Sequence, residues 1–186
     1  MKNKMKSMKK GLLGIACALC LTTPNTSFAH LMAAQHGTLS FIGTNVYIAL
    51  SLPMSAFKGV DDNDDKHVTI QEFNNHRDLI SETIKQNVYL MEDSHKFVID
   101  GLLLEPTTGH EAANNYRHTA GESIEQVTIM GRYALTSNSA KVDFNIALFS
   151  DDMTSQNYDF VATDKNKKLT HEFEVMPSKP SISVFN

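Results

Sequence analysis

Residues 61–72, "DDNDDKHVTIQE", put oxygen-bearing side chains at 61, 63, 65 and 69 and close with a glutamate. A twelve-residue EF-hand loop takes ligands from positions 1, 3, 5, 7, 9 and 12, with glycine at 6. With Glu72 at position 12, Asp61 falls at 1, Asn63 at 3, Asp65 at 5, His67 at 7, Thr69 at 9 and apolar Val68 at 8. His67 needs only its backbone carbonyl, and position 9 often acts through water. Calcium is a hard cation that takes about six to eight oxygens, which this register supplies. The departure is Lys66 at position 6, where a sharp turn needs positive φ. That costs a non-glycine residue roughly 1–2 kcal/mol and sets a positive charge beside the cation. A hydrated Asp/Asn turn accounts for Asp61–Asp65 equally well. It does not require an apolar residue at 68 or a glutamate at 72. The expected cofactor is therefore Ca2+, bound by Asp61, Asn63, Asp65, His67, Thr69 and Glu72.

Paired EF-hands would need a second loop. The segment from Asp151 offers Met153 and no closing glutamate. The one from Asp164 has Lys168 at position 5 and Val175 at 12. Neither has the ligands, so the loop at 61–72 has to be braced by the surrounding fold.

That fold reads as strands. Val46, Ile48, Leu50 and Leu52 alternate, as do Val127, Ile129, Tyr133 and Leu135. So do Val142, Phe144, Ile146 and Leu148, and then Leu169, Phe173 and Val175. Period two marks half-buried strands. "GTLSFI", "NVYLM", "KFVIDGLLL" and "NYDFVAT" read as further strands, with turns at Gly43-Thr44, Ser137–Ser139 and Lys165–Lys167. Many short strands with local turns predict a mainly β fold, an antiparallel immunoglobulin-like sandwich. "PSKPSISVF" at the end reads as an edge strand or a loose tail. One segment breaks the pattern. Ile70, Phe73, Ile80 and Ile84 are spaced for a helical stripe, and Thr69-x-x-Glu72 has the spacing of a capping box. The sequence thus predicts one inserted EF-hand-type loop and one α-helix, at about 54–87.

Lys2, Lys4, Lys6, Lys9 and Lys10, followed by "GLLGIACALCL", have the form of a secretory signal. The apolar core is too short to span a bilayer, which takes about 20 residues. Ser27 and Ala29 are the small residues a signal peptidase requires. Residues 1–29 are therefore read as a signal peptide cleaved after Ala29, and 30–186 as one domain, periplasmic or secreted, with no membrane span in the mature chain. Both cysteines leave with the signal. The whole chain carries 17 basic and 21 acidic residues. Loss of the five signal lysines leaves 12 against 21, or −9. Such an acidic product is a poor fit to nucleic acid, whose affinity rests on cations meeting phosphates.

"AHLMAAQHGTL", "ALSLPMSAFKGVDDNDD" and the residues after them resemble a group of exported bacterial proteins with one EF-hand loop. These are similar to the soluble extracytoplasmic region of HupE/UreJ-type (hydrogenase/urease accessory) membrane proteins. Lys66 departs from the glycine typical of that loop. The resemblance implies calcium binding and a link to metal handling, and it implies no activity.

Other chemistry is sparser. Cleavage would make His30 the first residue. Its α-amino group and imidazole, with Met32 and His36 close by, suit copper or nickel. The alternative reading is thus a periplasmic transition-metal carrier using His30 and His36. His110 and His118 flank Glu111 in a polar loop, a further transition-metal candidate. A third reading is an adhesive or interaction module, whose partner would be a membrane or periplasmic protein. No nucleophile motif or glycine-rich phosphate loop is present in the sequence, so the expectation is that the protein is not an enzyme.

Overall fold

The computed structural model describes residues 33–108, 122–137, 141–151 and 156–185. Its strands run β1 (His36–Ile42), β2 (Asn45–Pro53), β3 (Val68–Thr69), β4 (Val88–Glu92), β5 (His95–Val98) and β6 (Asp100–Thr108). They continue as β7 (Ser123–Ala134), β8 (Val142–Ile146), β9 (Tyr158–Asp164), β10 (Leu169–Val175) and β11 (Ser181–Ser183). Helices α1 (Ile70–Asn75) and α2 (Arg77–Asn87) lie between β3 and β4. The predicted signal peptide falls outside the described residues, as does Asn138–Ser139 of one predicted turn. Among the described residues no helix is long and apolar enough to cross a membrane.

The strands form two sheets. The first runs β10-β9-β1-β2-β7, where β6 takes one flank of β7 and β2, then β3, the other. The second runs β11-β8-β4-β5. The alternating residues explain why these segments pair. Val46, Ile48, Leu50 and Leu52 are all buried, and so are Val127, Ile129, Tyr133, Val142, Phe144 and Ile146. Each strand can hide one face only against a second sheet. Phe144 of the second sheet meets Phe160 of the first at 4.6 Å between ring centroids, and Phe160 stacks on Phe173 at 5.4 Å. The mainly β sandwich expected from the sequence is what is found.

Four details differ from the sequence reading. β1 and β9 pair parallel, which alternation within single strands cannot reveal. "KFVIDGLLL" is two strands rather than one. β5 belongs to the second sheet and β6 to the first, and the chain crosses at buried Ile99, beyond which Gly101 takes φ +62 beside a bulge between Asp100 and Leu103. The stripe from Ile70 to Ile84 is also two helices. His76 has φ −105 and ψ 15, well off helical ψ, so the axis breaks there. Leu169, read as core, is 47% exposed because it begins β10 straight after a turn. The final segment does pair, as edge strand β11 against β8.

Candidate metal-binding loop

The loop is an excursion from one slot in the first sheet. β2 ends at Pro53, opposite Gln126 of β7. The chain makes a turn of 3-10 helix over Met54–Ala56, anchored by buried Met54, Phe57 and Val60. It returns as β3, with Val68 opposite Ile124 and Thr69 opposite Ser123 of β7. β3 thus occupies the flank of β7 that β2 vacates, so both ends of the loop rest on one strand. That is the brace a lone loop needs.

Within the loop the side-chain oxygens act in sequence. Asp61 Oδ1 accepts the Asn63 N–H at 3.3 Å, Asn63 Oδ1 accepts that of Asp65 at 3.0 Å, and Asp65 Oδ1 accepts that of His67 at 2.7 Å. Each is an Asx turn, in which the side chain replaces a backbone acceptor. Asp61 Oδ2 also accepts the Lys66 N–H at 2.8 Å. Lys66 has φ +68 and Asp64 φ +58, so the chain does turn sharply at position 6 despite the lysine.

Glu72 sits at the start of α1 and is only 8% exposed. Its N–H donates to Thr69 Oγ1 at 3.3 Å, while its Oε2 accepts the Thr69 N–H at 2.8 Å, which completes the expected capping box. Oε2 also accepts the Thr69 hydroxyl at 2.7 Å, and Oε1 accepts the Asp62 N–H at 3.1 Å. These bonds, those from Thr69 foremost, hold the Glu72 carboxyl below the usual carboxylate range against the opposing effect of burial. The sequence reading missed His76, whose Nε2 lies 2.7 Å from Asp62 Oδ1 and ties the helix break to the loop. No local spacing signals it, since Asp62 and His76 are 14 residues apart and meet only when the loop folds back on the helix break.

Among the described residues no three His, Cys, Asp or Glu side chains are grouped to hold a metal. The loop carboxylates are turned to backbone N–H groups rather than to a common point. Their chemistry still fits a hard cation, because every proposed ligand atom is oxygen. Asp65 Oδ2 also accepts the Asn63 side-chain amide at 3.0 Å; a carboxylate has about four acceptor sites, and these bonds use two on Asp61, two on Asp65 and three on Glu72. Acceptor capacity is left on each.

Of the remaining metal candidates, His36 is the one among the described residues. His36 Nδ1 lies 2.8 Å from the Ala34 carbonyl, and its Nε2 lies 3.5 Å from Asp159 Oδ2. His30, Met32, His110, Glu111 and His118 lie outside the described residues. The segment from Asp164 is a plain turn, in which Asp164 Oδ1 accepts the N–H groups of Asn166 and Lys167.

A pH prediction follows from Glu72. Its folded pKa is lowered, so its contribution to stability is complete above the unfolded value near 4.5 and is lost as pH falls through the folded value. In chelator, the wild-type melting temperature should therefore fall more steeply from about pH 5 to pH 3 than that of Glu72→Gln. The other acidic groups are shared by the two proteins and cancel in the difference. Parallel curves would mean that the Glu72 carboxylate contributes nothing to the folded state.

Comparison of the chain with protein-family models gave no match, and comparison with curated proteins gave none.

Proposed function

We propose that this is an exported, non-enzymatic calcium-binding protein, an immunoglobulin-like sandwich with a single EF-hand-type site at Asp61, Asn63, Asp65, His67, Thr69 and Glu72. The observation that supports it is the loop backbone. The chain turns at Lys66 with positive φ and aims its N–H at Asp61, although lysine disfavours that conformation. Calcium would be held by side-chain oxygens of Asp61, Asn63, Asp65 and Glu72, by the His67 carbonyl and by Thr69. When bound it supplies charge neutralisation for the acidic loop. The protein's own residues supply the rest: β3 fixes positions 8 and 9 on β7, and α1 carries position 12. The metal would brace the insertion and the surface around it for a partner.

Melting curves with calcium, magnesium and chelator test this. Extracellular EF-hand modules, the weak class, bind calcium with Kd of about 10⁻⁴–10⁻³ M, and Lys66 favours that class over the tight cytosolic one. At about 1 mM calcium and a Kd of about 0.1 mM, the folded state gains roughly 1.4 kcal/mol. For a domain of this size the melting temperature should rise by about 3–6 °C. Glu72→Gln should lose most of that rise, and Lys66→Gly should enlarge it. Magnesium should substitute poorly, since it demands a smaller octahedral shell. Equal calcium shifts in wild type and Glu72→Gln would reduce the stretch to an acidic turn.

A further inference from the structure

The outer face of the first sheet, the one turned from the core, carries a concentration of apolar surface. Of the eight large apolar side chains exposed among the described residues, five point outward from it: Ile42, Tyr47, Leu103, Met130 and Val161. The pairing registers set Leu103, Met130, Ala49, Thr38 and Val161 in one row across β6, β7, β2, β1 and β9. Asp100, Arg132, Tyr47, Ser40 and Thr163 form the next. A shallow depression of about 300 Å³ opens between these rows, lined by Tyr47, Gly101, Leu103, Met130 and the Arg132–Asp100 ion pair at 2.7 Å.

Charge on this face is segregated along the strands. At one end Asp159 and Glu174 are cross-strand neighbours on β9 and β10, and both are exposed. At the other end the β9–β10 turn carries exposed Lys165 and Lys168. The two ends are about 20 Å apart at roughly 3.3 Å per residue. A face with one acidic end, one basic end and apolar side chains between them is complementary to itself when turned end for end.

We propose that this face is a homodimer interface, on which a second copy of the chain packs face to face with its strands reversed. The two-fold axis lies between the faces and runs across the strands, between the Met130 row and the Arg132 row. It sets β10 on β10 and each lysine turn over the partner's Asp159 and Glu174, while the Met130 row of each copy lies over the Arg132 row of the other. An axis along the strands instead lays Glu105 at the β6 edge over the partner's Glu174 at the β10 edge, acid on acid. The contact is isologous, so it closes at two copies. The face spans about 24 Å by 20 Å, at the small end of specific interfaces, and a micromolar Kd is expected.

Sedimentation equilibrium tests this on wild type and two charge-reversed variants, Lys165→Glu/Lys168→Glu and Asp159→Lys/Glu174→Lys. Every substituted residue is exposed, and melting curves confirm that the variants fold. Wild type should show a reversible monomer–dimer equilibrium below about 200 µM. Each variant alone opposes like charges at both ends of the interface, and its Kd should weaken about tenfold or more. The equimolar mixture meets opposite charge at both ends, so it should form a heterodimer of wild-type strength. Leu103→Asp, at a site 61% exposed, should abolish association without unfolding the protein. A wild type that stays monomeric overturns the proposal, whether or not it floats with anionic phosphatidylglycerol vesicles. Variants that dimerise like wild type, or a mixture that stays monomeric, overturn it as well.

Discussion

Gly37→Ala should be among the most damaging single substitutions in the chain, although it adds only one methyl group near the start of β1. A Cβ there would lie 2.1 Å from Phe160 Cε1, 2.5 Å from Cζ and 2.6 Å from Cδ1. The ring cannot swing aside. Phe160 is 1% exposed, stacked on Phe173 and tilted against Phe144, so its displacement disturbs the contact between the two sheets. Nor can β1 withdraw easily, because it is paired on both flanks, with β2 and with β9. Overpacking a well-filled core costs about 1–3 kcal/mol, and the rigid ring places this substitution at the upper end. The melting temperature should drop by roughly 6–12 °C. Gly37→Ala with Phe160→Leu should recover part of the loss, since leucine is smaller and lacks the fixed plane. If Gly37→Ala melts within about 2 °C of wild type, the sheets are not packed as described.

Gly131→Ala should cost nearly as much, for a different reason. Its Cβ would lie 2.3 Å from Ile99 Cγ2 and 3.3 Å from the Asp100 carbonyl. Ile99 is the residue at which the chain passes from β5 in one sheet to β6 in the other, and it fills the space the glycine leaves on β7. The added methyl pushes on the crossover itself, and the neighbouring contact is backbone, which cannot rotate away. A loss of about 2–3 kcal/mol is expected. Hydrogen exchange should locate it, with amide protection falling most along β5, β6 and the facing part of β7. Uniform loss across both sheets would show that the crossover has no special sensitivity.

Much of the architecture was already present in residue order. Alternation marks a strand because side chains on a strand point to opposite faces, and the buried sets on β2, β7 and β8 are the ones that alternate. The capping box and the Asp/Asn spacing of the loop are local too. Thr69 meets Glu72, and Asp61 meets Asn63 and Lys66, within five residues, so chain geometry alone brings them together. The positive φ at Lys66 belongs to the same class, since the Asx turns beside it and its N–H bond to Asp61 are local.

Tertiary structure decided what depends on long-range company. The parallel β1–β9 pair joins residues over 100 apart in sequence, and no period within either strand encodes its neighbour or direction. "KFVIDGLLL" is apolar enough to be one strand. It breaks at Ile99 because Gly131, distant in the chain, leaves a space that Ile99 enters. Val68 and Thr69 are too short a run to read as a strand, yet they become β3 because β2 ends at Pro53 and leaves the flank of β7 open. The loop's Asp/Asn spacing was therefore written locally, while its brace exists only once β7 lies beside it.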